Sequence, residues 1–97
     1  MKLRFTPRAT DNIAAVADFL TARNPSAAVR VQADIYQSLQ DLLLFPRAGP
    51  RQTTEDIRKS VTKRYSYLIY YRYDEGADEI VVLNVKHPAQ ARDYSDL

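Results

Sequence analysis

Three hydrophobic spacings run along the chain, and each predicts a different kind of element. Lys2-Leu3-Arg4-Phe5-Thr6 alternates polar and apolar residues before Pro7, the period of a short strand with Leu3 and Phe5 facing inward. From Arg8 onward Ile13, Val16, Ala17 and Leu20 recur at spacings of three, one and three, the stripe of an amphipathic helix. Thr6 stands where it can cap that helix, with Pro7 at the first helical position, and the helix is expected to end near Arg23. Asn24-Pro25 repeats the start signal and opens a second stripe of Ala28, Val31, Ile35, Leu39 and Leu42 at spacings of three, four, four and three. Only a tight turn separates the two helices, which predicts an antiparallel hairpin, and Ala14, Ala17, Ala28 and Ala33 permit close approach.

Phe45-Pro46 stops the second helix, and residues Arg47 to Glu55 lack periodicity, which predicts a loop. Strand-like runs follow at Asp56 to Thr62, with Ile57 and Val61 on one face, at Tyr65 to Tyr73, and at Glu79 to Lys86; residues 74–78 form a hairpin loop. The continuous apolar run Ile80-Val81-Val82-Leu83 predicts a strand more covered than its neighbours. Alternation sends Tyr65, Tyr67, Ile69, Tyr71 and Tyr73 to one face and Leu68, Tyr70 and Arg72 to the other. Leu68 and Ile69 are both good core residues, so alternation alone leaves open which face meets the helices. The predicted class is α+β: a two-layer fold with an N-terminal strand, an antiparallel helix hairpin and a three-stranded antiparallel meander, in the order β-α-α-β-β-β, as one domain over residues 1–97.

Composition narrows the chemistry more than the fold. An apolar fraction of 45% with 27% charged residues is that of an ordinary globular chain. The absence of cysteine excludes disulfides and thiolate zinc sites. With a single histidine and no carboxylate ligand loop, no metal site is expected, and two glycines, Gly49 and Gly76, cannot build a phosphate-cradling loop, so no cofactor is expected either. No apolar window approaches the roughly 18 residues of a membrane span, and a cytoplasmic protein without membrane contact is expected. The net charge of +2 conceals an asymmetry: the segment from Arg47 to Arg72 carries +5, leaving −3 for the remainder. Ten of the 14 basic residues are arginine, the side chain suited to forked contact with carboxylate or phosphate. Residues 57–87 also hold five of the seven tyrosines and the only histidine. Tyrosine favours both strands and interfaces, so this stretch is expected to be a sheet first and a surface for a protein partner second.

Specific residues in this order resemble a known family. Phe5-Thr6-Pro7-Arg8-Ala9 enters the first helix and Asn24-Pro25-Ser26-Ala27-Ala28 the second; Phe45-Pro46 is followed by Gly49 and Arg51. Ile57-Arg58, Tyr67-Leu68-Ile69-Tyr70-Tyr71-Arg72, Ile80-Val81-Val82-Leu83 and His87 complete the set. The chain is similar to the RelE/ParE superfamily of toxins from bacterial type II toxin–antitoxin systems, and within it to the ParE branch. The resemblance implies a toxin that inhibits DNA gyrase and arrests growth, held silent by a cognate ParD-like antitoxin in a hetero-oligomer. It implies DNA contact only through the antitoxin or gyrase. The antitoxin is expected to lay a helix in an apolar groove of the toxin.

Two alternatives stand beside that reading. RelE-like relatives cut messenger RNA on the ribosome, chemistry that needs a base, an acid and cations around the phosphate. By position in the resembled fold, Arg58, His87 and Tyr94 fall where nuclease members keep working side chains, and Arg92 could bind phosphate. Where those relatives carry a dense basic run, however, this chain reads His87-Pro88-Ala89-Gln90-Ala91-Arg92. His87 is expected instead to end a buried strand and bond a neighbouring carbonyl or carboxylate. The other alternative is a partner-binding homologue without toxicity. Candidate target- or partner-binding residues are Arg51, Arg58, Lys59, Arg64, Tyr70, Arg72, His87, Arg92 and Tyr94, with the late strands and the tail from Pro88 to Leu97 as the expected target surface.

Overall fold

In the computed structural model, which describes residues 1–52 and 56–90, the caps written in the sequence are the joints of the fold. Thr6 starts helix α1 (Pro7–Arg23): its hydroxyl accepts the Ala9 N–H at 3.2 Å and donates to the Leu83 carbonyl at 3.1 Å. One side chain thus caps the helix and ties it to the sheet. Asn24 serves both helices. Its N–H closes α1 on the Leu20 carbonyl at 2.6 Å, and its Oδ1 opens α2 (Pro25–Leu44) by accepting the Ala27 N–H at 3.1 Å. The expected hairpin therefore turns on one residue.

The strands are β1 (Lys2–Phe5), β2 (Arg58–Val61), β3 (Leu68–Asp74) and β4 (Glu79–Lys86), followed by a 3₁₀ turn at Pro88–Gln90. They lie in the order β1-β4-β3-β2; β1 runs parallel to β4, and the other neighbours are antiparallel. The central place of β4 accounts for its continuous apolar run. A register shift opposite Tyr70 and Tyr71 pairs Tyr70 with Asn84 and Tyr71 with Val82, so Leu83 is an extra residue and Val82 and Val85 both reach the core.

Every residue of the predicted α2 stripe is buried, and with Ala9, Ile13, Val16 and Leu20 of α1 it covers one face of the sheet. That face carries Tyr67, Ile69 and Tyr71, with Tyr65 and Tyr73 at its rim, which decides the question that alternation left open. Most of this tyrosine face is therefore covered by the helices: Tyr67 and Tyr71 are core, with Tyr71 0% exposed, and only the rim rings of Tyr65 and Tyr73 are half-buried.

Two strands begin later than their composition predicts. β2 starts at Arg58 and not Asp56, because Asp56 takes a left-handed backbone (φ 67°) while the Gln52 N–H bonds the Ile57 carbonyl and Arg51 bridges Arg58. β3 starts at Leu68 and not Tyr65, because residues 63–65 form a turn and Ser66 is left-handed (φ 59°). The buried carboxylate of Asp34, reaching from α2, fastens that turn by accepting the Arg64 and Tyr65 N–H groups at 3.2 and 2.9 Å.

Candidate functional site

Two hollows lie at opposite ends of β3. The first is an apolar groove of about 510 Å³ between α1 and the end of β4, lined by Asn12, Ala15, Val16, Phe19, Leu20, Tyr67, Val85 and His87. It exists because β1 stops at Phe5, opposite Val82, and leaves the rest of that β4 edge without a strand. Side chains take the strand's place: Thr6 bonds the Leu83 carbonyl, and the Asn12 Oδ1 accepts the Val85 N–H at 3.1 Å. The groove's mouth is Phe19, 55% exposed, with the Arg23 guanidinium stacked 3.8 Å from its ring centre.

Tyr67 forms the groove floor, and its own placement is built from outside. The Tyr67 N–H donates to the Thr62 hydroxyl at 2.9 Å, within the turn that Asp34 fastens. Burial pushes the Asp34 carboxyl up, but hydrogen bonds from Thr62, Tyr65 and Arg64, with the Arg64 charge, outweigh it and hold the group below its ordinary value. Burial raises the Tyr67 phenol. His87 is exposed and meets Tyr67 edge to face at 5.3 Å. Its Nδ1 accepts the Ala89 N–H at 3.0 Å, which places the proton of the neutral ring on Nε2. The expected partner, a carbonyl or carboxylate, is thus corrected to a backbone N–H, because the chain turns tightly into Pro88–Gln90.

The second hollow is a polar cleft of about 440 Å³ lined by Arg47, Arg51, Asp56, Arg58, Arg72, Tyr73, Asp74 and Glu75. Its floor is the loop after α2, pinned by Tyr71: the phenol donates to the Pro46 carbonyl at 2.9 Å and accepts the Gly49 N–H at 3.0 Å. Burial raises the Tyr71 phenol, against opposing effects of the Gly49 N–H and the Arg58 charge. The Arg58 Nη1 donates to the carbonyls of Gly49 and Arg47 at 2.9 and 3.2 Å. Arg51 grips Asp56 through Nε and Nη2 at 2.9 and 2.7 Å, and Arg47 pairs with Glu75 at 2.9 Å while lying over Tyr73.

Of the candidates named from sequence, Arg51, Arg58 and Arg72 share the polar cleft, and His87 lines the apolar groove. Lys59 and Tyr70 face the side of the sheet away from the helices, paired across β2 and β3, and Tyr70 is 3% exposed. Arg64 is exposed on the β2–β3 turn. Arg92 and Tyr94 lie outside the described residues. Arg58 and His87 are not brought together: Arg58 pairs with Tyr71 and His87 packs on Tyr67, four residues apart and about 13 Å along an extended strand. Sequence reasoning missed Asn12 and Phe19. Phe19 was detectable as a large apolar residue outside the α1 stripe; for Asn12, polar in the first turns of a helix, no local signal existed. Among the described residues, no group of three or more histidine, aspartate or glutamate side chains is placed to hold a metal ion, and no helix is long and apolar enough to cross a membrane.

The strand–hairpin–meander order, with β1 parallel to a central β4, defines the class of two-layer fold shared by the RelE and ParE toxins. Solved structures carry the same architecture. The chromosomal ParDE system of P. aeruginosa matches at 21% identity with a TM-score of 0.74, over 90% of this chain and 95% of that one. The isolated E. coli RelE toxin matches at 22% and 0.65, over 98% and 92%, and the RelBE2 toxin–antitoxin complex of Mycobacterium tuberculosis at 24% and 0.60, over 89% and 95%. At these identities the likeness is one of fold. No curated protein matches the chain. The family model described as the ParE toxin of the parDE type II toxin–antitoxin system matches residues 3–92, and the chain belongs to that family.

Proposed function

We propose that this ParE-family toxin arrests growth by inhibiting DNA gyrase through binding, without chemistry of its own, and that a ParD-like antitoxin neutralises it. The observation that carries the binding reading is the separation of Arg58 from His87. A nuclease using this pair must bring phosphate-binding arginine and imidazole to one scissile bond, within hydrogen-bond reach of it. Here they line different hollows. The apolar groove supports the antitoxin half of the proposal, since a shallow trough with an exposed Phe19 at its mouth suits the apolar face of a partner helix. Because function belongs to sites and not to folds, the choice of gyrase rests on the ParE family and needs its own test.

That test is pulse labelling within minutes of inducing the chain without an antitoxin, paired with a gyrase supercoiling assay on the purified protein. Thymidine incorporation should fall first and supercoiling should be blocked. An early fall in methionine incorporation would overturn the gyrase reading in favour of ribosomal mRNA cleavage, and no arrest would make the chain a non-toxic partner-binding homologue. Phe19→Glu should leave arrest intact while an antitoxin that silences the parent chain no longer silences the variant.

A further inference from the structure

We infer that the cleft framed by Arg47, Arg51, Arg58 and Arg72 is a carboxylate-binding site, taking an aspartate or glutamate side chain of an acidic protein segment between Arg58 and Arg72. The inference concerns this surface alone and does not rest on gyrase being the target.

The distribution of charge within the cleft carries it. Four guanidinium groups meet three carboxylates among the described lining residues, leaving a net +1. The surplus is localised. Arg51 is matched by Asp56 and Arg47 by Glu75, whereas Arg58 contacts only neutral carbonyls and Arg72 has no ion pair or hydrogen bond of its guanidinium among the described residues. Arg58 is partly buried and held by two bonds through one terminal nitrogen, so its other terminal nitrogen and Nε are fixed in direction before anything binds. Little ordering entropy is then lost on binding. Arg72 is exposed on the adjoining strand and supplies the other half of the clamp.

The residues already present show what the cleft prefers. Arg51 already holds a carboxylate here, with Nε and Nη2 both donating to the one oxygen Asp56 Oδ1, a charge-assisted contact. The Arg51 hydrogen bond holds the Asp56 carboxyl below its ordinary range, and the charges of Arg58 and Arg72 reinforce it, so an oxyanion in this space feels a positive field. Both existing pairs are exposed, at 60% and 47% for Arg51 and Asp56 and 57% and 73% for Arg47 and Glu75. Exposed pairs are weak and can exchange with an incoming acid. A nucleic-acid backbone fits less well, because Asp56, Asp74 and Glu75 would stand against its closely spaced phosphates, whereas one side-chain carboxylate meets the one surplus charge among the described lining residues.

The test is an NMR titration of the full ¹⁵N-labelled chain, following arginine Nε–Hε signals with a short capped poly-glutamate peptide and, separately, a short oligothymidylate. The Arg58 and Arg72 signals should move saturably with the peptide while that of Arg64, a cation outside the cleft, stays still. Arg72→Ala, with its amide spectrum confirming the fold, should weaken peptide binding about fivefold, and Arg72→Lys by less. The inference is overturned if the Arg58 and Arg72 signals do not saturate, if they move in step with Arg64, or if oligothymidylate shifts them at lower concentration than the peptide.

Discussion

The apolar groove and the arginine cleft are close in volume, about 510 and 440 Å³, yet they are made in opposite ways. The groove is what remains when a helix packs on a sheet whose edge strand ends early, and two polar side chains, Thr6 and Asn12, finish that edge. The cleft is built by a loop laid over β2 and held by Tyr71 and Arg58. One is a gap between regular elements and the other a construction of side chains on irregular backbone. Tyr67, just before β3, and Tyr73 within it mark the two hollows, about 20 Å apart along the strand direction. Their supports differ as well, and substitutions in those supports separate them.

The largest effect is expected at the cleft floor. A methyl group on Gly49 would stand 2.5 Å from the Lys59 carbonyl oxygen and 2.9 Å from the Tyr71 hydroxyl. The first of these atoms is backbone of β2 and cannot swing aside. Gly49→Ala is therefore expected to cost about 2–3 kcal/mol in urea unfolding, at the upper end for overpacking, with the groove's contacts unchanged. A variant as stable as the parent would show that the loop is not pinned where Tyr71 holds it.

Next comes Asp34, which supports the groove floor from a distance. Asp34→Ala leaves the Arg64 and Tyr65 N–H groups without their acceptor and is expected to cost about 1–3 kcal/mol. The effect depends on pH in a fixed direction. A carboxyl whose folded-state value lies below its unfolded value of about 3.9 stabilises the fold above that pH, and the contribution disappears as pH falls through the folded value. The stability gap between parent and variant should therefore be constant near neutrality and shrink below about pH 4. A gap that widened in acid would contradict the lowered value.

Asp34 and Tyr71 also mark the limit of what local sequence could convey. The helices were legible to the residue at most ends, because Thr6-Pro7, Asn24-Pro25 and Phe45-Pro46 are local signals and the stripes have a fixed period. The start of β3 was not. Tyr65-Ser66-Tyr67 has strand composition, but a carboxylate some thirty residues earlier captures its backbone, and no window around Tyr65 contains that information. The tyrosine face was undecided for the same reason, since it depends on β4 lying between β1 and β3. The cleft was half legible: the +5 segment pointed to Arg51, Arg58 and Arg72, while their grouping required the loop to fold back over β2. Asn12 reads as an ordinary polar helix residue until the end of β1 exposes the Val85 N–H.

Asn12→Ala gives a smaller effect, about 1 kcal/mol, because the Val85 N–H it abandons borders an open groove where water can replace the lost acceptor. Amide exchange sharpens this comparison: protection at Val85 should fall while Gly49, bonded to Tyr71 in the cleft floor, keeps its protection. Equal loss at both would mean that the two hollows are not independently supported.

The smallest structural effect is expected at His87, and it separates the proposed functions most sharply. The ring is exposed, its Nδ1 bonds only the nearby Ala89 N–H, and its edge contact with Tyr67 lies at the surface of the groove. His87→Gln should shift the melting temperature by less than about 3 °C, as for other exposed positions. If the groove is a seat for a partner helix and the toxin acts by binding, growth arrest should persist, and any change should appear in how tightly an antitoxin holds. If arrest vanished while melting temperature and antitoxin binding stayed in place, the imidazole would be acting at the target: by contact if the purified variant only lost its block of gyrase supercoiling, by chemistry if the parent chain cleaved ribosome-bound mRNA and the variant did not. The apolar groove, and not the arginine cleft, would then be where this toxin meets its target.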